Sequence, residues 1–231
     1  MLAILKKELK SYLLTPAGYI FIGVFLLLFS FIFATSILYQ RIVNFEYLFY
    51  DGSTILTFVV PVITMGMFAE ERRRGTEQLI LTSPRSVASI VFGKFFAATI
   101  IIIITELCMF MYLAILKFFG NPSIAVALNT MGGFLLLSMA YVSFGMFASS
   151  ITDNQIVAFV LTIAFFMGMW FLPYGNIPVI SNIFAQVSLV DKFRNYIFGR
   201  ILISELISFI SFIALMICLT MVSLQRRKST R

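Results

Sequence analysis

The chain has 231 residues, 61% of them hydrophobic and 12% charged, with a mean hydropathy of +1.02. An average soluble domain is roughly half apolar and one quarter charged, so a soluble fold cannot hide this much apolar surface. The formal charge of +7 is not a nucleic-acid footprint, because the basic residues flank long apolar runs and meet lipid headgroups there.

Residues 2 to 14 predict an amphipathic helix along the inner leaflet, with Leu2, Leu5, Leu9, Tyr12 and Leu13 on one stripe and Lys6, Lys7 and Lys10 on the other. Such a helix serves either as a membrane anchor or as a lever against a cytoplasmic partner. Thr15 and Pro16 end it, because Pro lacks an N–H and pushes its predecessor out of the helical region. Lysines ahead of an apolar stretch also mark signal peptides, but this stretch is too long and further spans follow.

No charge falls between Lys10 and Arg41, Asp51 and Glu70, Lys117 and Asp153, Asp153 and Asp191, or Glu205 and Arg226. A hydrocarbon core requires roughly 20 residues of helix, and each interval can hold such a span. Spans are predicted at 17 to 38, 54 to 69, 93 to 117, 133 to 150, 155 to 172 and 204 to 224, the second short and the third interrupted by Glu106. Backbone polar groups in lipid must be satisfied within the segment, which makes these runs helices rather than open strands. The predicted fold is an all-α polytopic membrane protein, one transmembrane domain of six helices over residues 1 to 231. Six helices return both termini to one side, which then holds Lys6, Lys7, Lys10, Arg72, Arg73, Arg74, Arg85, Lys94, Arg226, Arg227, Lys228 and Arg231, twelve of the seventeen basic residues. By the positive-inside rule that side is the cytoplasm.

Glu70 to Pro84, EERRRGTEQLILTSP, is the longest connection on that side and the most charged part of the chain. Arg72 to Arg74 alone make only a headgroup anchor. The continuation adds Gly75, which can end or bend the helix leaving the membrane, and Thr76, which can cap a new one. Leu79, Ile80 and Leu81 then supply apolar knobs before Ser83 and Pro84 stop it, a pattern that suits a groove on a soluble partner. In the turn Ser149 to Gln155, Thr152 or Asp153 can cap the fifth span.

Residues 173 to 200 form the largest external segment and are apolar for a water-exposed loop. Ile180 to Val187 and Val190 to Phe198 can form two short helices dipping into the outer leaflet as a gate. An interfacial aromatic belt of Tyr174, Phe184, Phe193, Tyr196 and Phe198 is the competing reading.

Glu106 is the one acidic residue deep in an apolar run, where an ionisable group costs roughly 2.5 to 3.5 kcal/mol. A substrate or proton role and helix-to-helix hydrogen bonding both stand for it. Gly145 and Ser149, four residues apart, allow close helix packing. Cys108 and Cys218 lie in apolar runs and read as small buried hydrophobes, and with no His the chain has neither a disulfide framework nor a metal-ligand cluster. Missing His also removes Ser-His catalysis and His-ligated zinc chemistry. No G-x-x-x-x-G-K-[ST] loop is present, so no catalytic residue is assigned and ATP-driven work must be powered by another polypeptide.

The run EERRRGTEQLILTSP at 70 to 84 closely resembles the cytoplasmic signature of ABC-2-type transporter permeases. GMFASSITDNQIVAF at 145 to 159 resembles that family's turn between its fourth and fifth helices. The opening KKELKSYLLTPAGYIF is similar to the gliding-motility and nitrous-oxide-reductase-maturation branch.

The resemblance implies a six-helix half-transporter with no ATPase of its own, pairing with a second copy or a paralogue. Each half binds a cytoplasmic ATP-binding subunit that carries the ATP and Mg, so the chain itself holds no cofactor. The segment matching Gly75 to Thr82 corresponds to the coupling helix, bordered by the N-terminal amphipathic helix. Glu70, Glu71, Arg72, Arg73, Gly75, Thr76, Glu77 and Leu79 are the expected transmission residues, with Glu106 a polar candidate inside the membrane. Helices matching the first and fifth spans line the dimer interface and export path in that family, in the cytoplasmic membrane of a prokaryote. The external loops are brief, which leaves substrate choice to the spans or to an accessory extracytoplasmic protein. Rival readings are an ion-gradient transporter or channel using Glu106, and a non-transporting scaffold that recruits a protein through residues 70 to 84.

Overall fold

Apolar runs separated by short polar turns fold here into helices. The computed structural model describes residues 1–38, 45–78, 85–119, 123–171, 173, 188–200 and 202–229. In chain order the helices are α1 (Leu2–Leu14), α2 (Pro16–Leu38), α3 (Phe45–Thr64), α4 (Gly66–Arg73), α5 (Val87–Phe119), α6 (Ile124–Ile151), α7 (Gln155–Phe171), α8 (Leu189–Ile197) and α9 (Ile203–Ser229). No strand occurs among the described residues.

Among the described residues five stretches are long and apolar enough to cross a membrane: Gly18–Ser36, Tyr47–Arg73, Val87–Phe118, Ile124–Ile151 and Ile203–Lys228. The expected fifth span corresponds to α7, which at 17 residues is shorter than these five. Its length of about 25 Å is at the low end for crossing a hydrocarbon core. Charge-free intervals clip the other spans. The second begins near Phe45 rather than at 54 and runs on to Arg73, the third begins at Val87 rather than 93, and the fourth at Ile124 rather than 133. Asp51, Lys94 and Asn129 are carried within these helices, because a charged or amide group near a helix end can reach water or a partner.

α6 is the centre of the bundle, packing against α3, α5, α7, α8 and α9. Tyr141 on α6 stacks on Phe166 of α7 at 3.6 Å between ring centroids, and Phe134 meets Phe25, Phe49 and Phe193 edge-on or tilted. Small residues set the closest approaches. A Cβ placed on Gly145 would lie 2.2 Å from Thr64 Oγ1, and one on Gly133 would lie 2.6 Å from the Tyr196 ring. Backbones crossing this closely gain dispersion contacts that larger side chains would block.

Ser149, one turn beyond Gly145, explains the break between α3 and α4 at Met65. Its Oγ donates to the Met65 carbonyl at 2.8 Å and accepts from the N–H groups of Phe68 and Ala69 at 3.0 and 3.1 Å. A side chain inserted into the helical ladder satisfies the groups it separates and lets the chain change direction.

α1 packs along α5, where a Cβ on Gly93 would lie 2.9 Å from Ile4. The half-buried stripe of α1 is Ile4, Leu5, Leu9, Tyr12 and Leu13; Leu2 is 70% exposed, and Glu8 lies on the inward face beside them. Leu5, Leu9, Tyr12 and Leu13 of the expected stripe face inward, and Glu8 joins them because it has an ionic partner inside.

Two further expectations are corrected. Cys108 and Cys218 are exposed on the outside of the bundle rather than buried, since lipid-facing positions are as apolar as core ones. Phe193 and Tyr196 on α8 are buried in the core, so they form no interfacial belt, while Phe198 is 54% exposed. Tyr174, Phe184 and the helix expected at 180 to 187 lie outside the described residues.

Candidate functional site

The charged segment that leaves the second span is folded back against the bundle. α4 is capped by Arg74, whose N–H bonds the Glu70 carbonyl at 2.9 Å, and Gly75 follows at φ +73° with its N–H on the Arg72 carbonyl. That left-handed conformation is one glycine adopts without a Cβ penalty, and it satisfies carbonyls at a helix end. Thr76 Oγ1 donates back to the Glu71 carbonyl at 3.2 Å, and Glu77 and Gln78 begin a new helical turn.

Glu71 anchors one side of α4. Its Oε1 lies 2.7 Å from Lys94 Nζ of α5 and 3.8 Å from Lys7 Nζ of α1. Lys94 also reaches Glu8 of α1 at 3.3 Å and sits over the Phe68 ring at 5.3 Å. The Lys94 side chain is only 3% exposed, so it is held by carboxylates and an aromatic face rather than by water. Tyr12, beside this cluster, donates its hydroxyl to the Ile63 carbonyl at 3.5 Å. Burial, then the carboxylates of Glu8, Glu71 and Glu70, push its phenol far above its ordinary value, so it stays a neutral donor.

Arg72 anchors the other side. Its Nη2 donates to the Ser150 carbonyl at 2.8 Å and its Nη1 to the Thr152 carbonyl at 2.6 Å and to Asp153 at 2.9 Å. Nε and Nη2 face the Glu77 carboxylate at 3.1 to 3.3 Å. The guanidinium thus caps the last carbonyls of α6, where a cation also meets the negative end of the helix dipole. Arg227 of α9 joins through Asp153 at 3.4 Å and the Ile151 carbonyl at 3.3 Å, and Ser223 donates to Ser150 at 3.2 Å. The Arg72 hydrogen bond is the main influence holding the Asp153 carboxyl below the usual carboxylate range.

Of the residues expected to act together, Glu71, Arg72, Gly75, Thr76 and Glu77 meet at this junction. Glu70 forms an exposed pair with Arg74 at 2.5 Å, and Arg73 is exposed. Leu79 lies outside the described residues. Sequence reasoning missed Glu8, Lys94 and Arg227. Glu8 carried one signal, a carboxylate in helical register with Ile4 and Tyr12. Asp153 was read as a helix cap, but Asn154 takes that role by accepting from the Ile156 N–H at 2.9 Å. Asp153 pairs with the two arginines instead.

Glu106 stands apart on α5. It is 7% exposed, its Oε1 has no hydrogen-bond partner among the described residues, and it borders a void of about 10 Å³ with Phe21, Phe25, Leu56 and Phe134. That is about the room needed by the centre of one water. Among the described residues no cluster of three or more ligating side chains could hold a metal ion.

Long apolar helices packed through small residues, with ion clusters gathered where α1, α4 and the Arg227 turn of α9 meet, define a polytopic helical membrane protein. The sequence profile of the ABC-2 family transporter proteins matches residues 38–224, most of the chain, and the chain belongs to that family. Comparison with curated proteins finds no match.

Proposed function

We propose that the chain is the permease subunit of an ATP-driven exporter, moved by a separate cytoplasmic ATPase subunit that binds ATP and Mg. One observation carries this reading. Consecutive residues of α4, Glu71 and Arg72, tie the segment leading into 75 to 82 to α1 and α5 on one side and to α6 and α9 on the other. Force applied at that segment by a docked ATPase therefore reaches α5 and α6 directly through buried, charge-assisted contacts, and α1 and α9 at one remove through Glu8 on Lys94 and Arg227 on Asp153. Such contacts are stiff, because breaking one leaves an uncompensated charge. Closure of the ATPase subunits would tilt the bundle as a body and shift it between two states.

In this reading α7 completes a six-helix half-transporter and both termini are cytoplasmic, in a prokaryotic cytoplasmic membrane. A second copy or paralogue packs on α2 and α7, whose outward faces include Leu27, Phe31, Ile156 and Val160. The opening segment supports the gliding-motility and nitrous-oxide-reductase-maturation branch; it precedes the matched region, which starts at residue 38. An accessory extracytoplasmic protein would supply substrate choice.

Extraction of the chain from native membranes tests the proposal: an ATPase subunit should co-purify, and vesicles holding the pair should transport only with ATP. Buried Glu106 favours one rival, transport coupled to an ion gradient. Solute movement by the purified chain alone, down a proton or sodium gradient, would establish that rival instead.

A further inference from the structure

Between α5, α6 and α9 lies a groove of about 340 Å³ with a wholly apolar lining that includes Phe92, Phe96, Leu136, Met139, Ile217 and Met221. It opens on an outer face of the bundle, where only 28% of the α9 spanning window is buried. On α9 the lining runs from Ile210 to Met221. At 1.5 Å per residue that is about 16 Å. One leaflet of a hydrocarbon core roughly 30 Å thick has nearly that depth.

The groove also has a polarity along its axis. Its α9 stripe of Ile210, Ala214, Ile217 and Met221 continues at helical spacing through Gln225 to Lys228. Arg85 stands immediately ahead of α5 at the same end of the bundle, the end marked by the Lys94 and Arg227 ion pairs. Both Arg85 and Lys228 are exposed. An apolar slot one leaflet deep with cations at its mouth matches an acyl chain below an anionic headgroup. A second copy docked on this face about a two-fold axis would bring a second Lys228 and Arg85 to the same mouth, like charge against like.

We propose that this groove holds an acyl chain of an anionic glycerophospholipid whose phosphate sits at the Lys228 and Arg85 end. The site uses neither α4 nor residues 75 to 84, so it stands independently of the ATP-driven reading.

Native mass spectrometry of the detergent-purified full chain tests it, with phosphatidylglycerol and phosphatidylcholine of equal chain length added together. Phosphatidylglycerol adducts should dominate, and Lys228→Ala or Arg85→Ala should each cut that preference about fivefold. Ala214→Trp, at an exposed lining position, should remove both lipids by filling the slot. Equal retention of the two headgroups, or phosphatidylglycerol adducts unchanged in Ala214→Trp, would overturn the proposal. So would efficient oxidative cross-linking between copies through Cys218, which lines the groove, because a second copy would then be its occupant.

Discussion

Glu71 and Arg72 are neighbours in the chain, yet their side chains leave α4 on different sides, Glu71 to Lys94 at 2.7 Å and Arg72 to the Ser150 carbonyl at 2.8 Å. The helix that carries the chain out of the membrane is therefore gripped from two directions. Neither grip is a surface ion pair: Lys94 is 3% and Arg72 8% exposed. Exposed pairs contribute little, whereas a buried one cannot lose a partner cheaply.

Arg72→Ala should lower stability by about 3–5 kcal/mol, because it strands the buried Glu77 carboxylate and uncaps α6. Arg72→Lys should fall between, since an ammonium supplies charge without the planar fork that meets Glu77, Ser150 and Thr152 together. Thermal unfolding of the detergent-purified variants gives the ranking.

Gly145→Ala should cost about 1–3 kcal/mol, because the new methyl group cannot fit against Thr64 and α6 must move off α3. Thr64→Ala in the same chain should recover part of the loss by removing the hydroxyl and one methyl group. A double-mutant cycle on melting temperature measures the coupling, and strict additivity would mean that the two positions do not touch.

Asp153 makes a prediction on the acid side. Its carboxyl is held below the usual range by Arg72, so its folded value lies under the unfolded one of about 3.9. Its stabilisation is complete above the unfolded value and disappears as pH falls through the folded value. Asp153→Asn should flatten the fall in melting temperature below about pH 4. At pH 7 it should change little, because the side chain is 72% exposed and screened.

Replacing Leu79 and Glu77 together by Ala and Gln should uncouple ATP hydrolysis from transport while membrane insertion persists. Glu77→Gln alone separates the contribution of the Arg72 pair from that of docking. Normal ATP-dependent transport by the double variant would remove the coupling role from both residues.

Glu106→Gln should melt no lower than the parent chain, because a neutral amide replaces a carboxyl group whose Oε1 is buried without a partner. If the variant accumulates and melts normally but no longer transports, the carboxyl group serves protons or substrate. Unimpaired transport assigns it to helix packing.

Much of the fold was legible because hydropathy is a property of each segment by itself. Apolar runs located the core of α2, α3, α5, α6 and α9, and Pro16 and Gly75 marked helix breaks. Helix ends were less legible: α3 begins at Phe45, ahead of Asp51, and α5 at Val87, ahead of Lys94, so neither charge marks a helix end. On α1 the inward face holds Glu8 rather than Leu2, because that carboxylate is stabilised by a lysine on another helix.

From its sequence alone, the chain is a helical membrane protein with a charged, glycine-broken segment after its second span, since burial in lipid and backbone conformation are settled locally. Packing alone decides which of those charges are interior. Arg72 meets Ser150 across 78 residues and Lys94 meets Glu71 across 23, and contacts between helices leave no periodic trace in either segment. The close approaches at Gly145 and Ser149 bring α4 against α6 and so Arg72 within reach of Ser150, and burial then makes the contact strong.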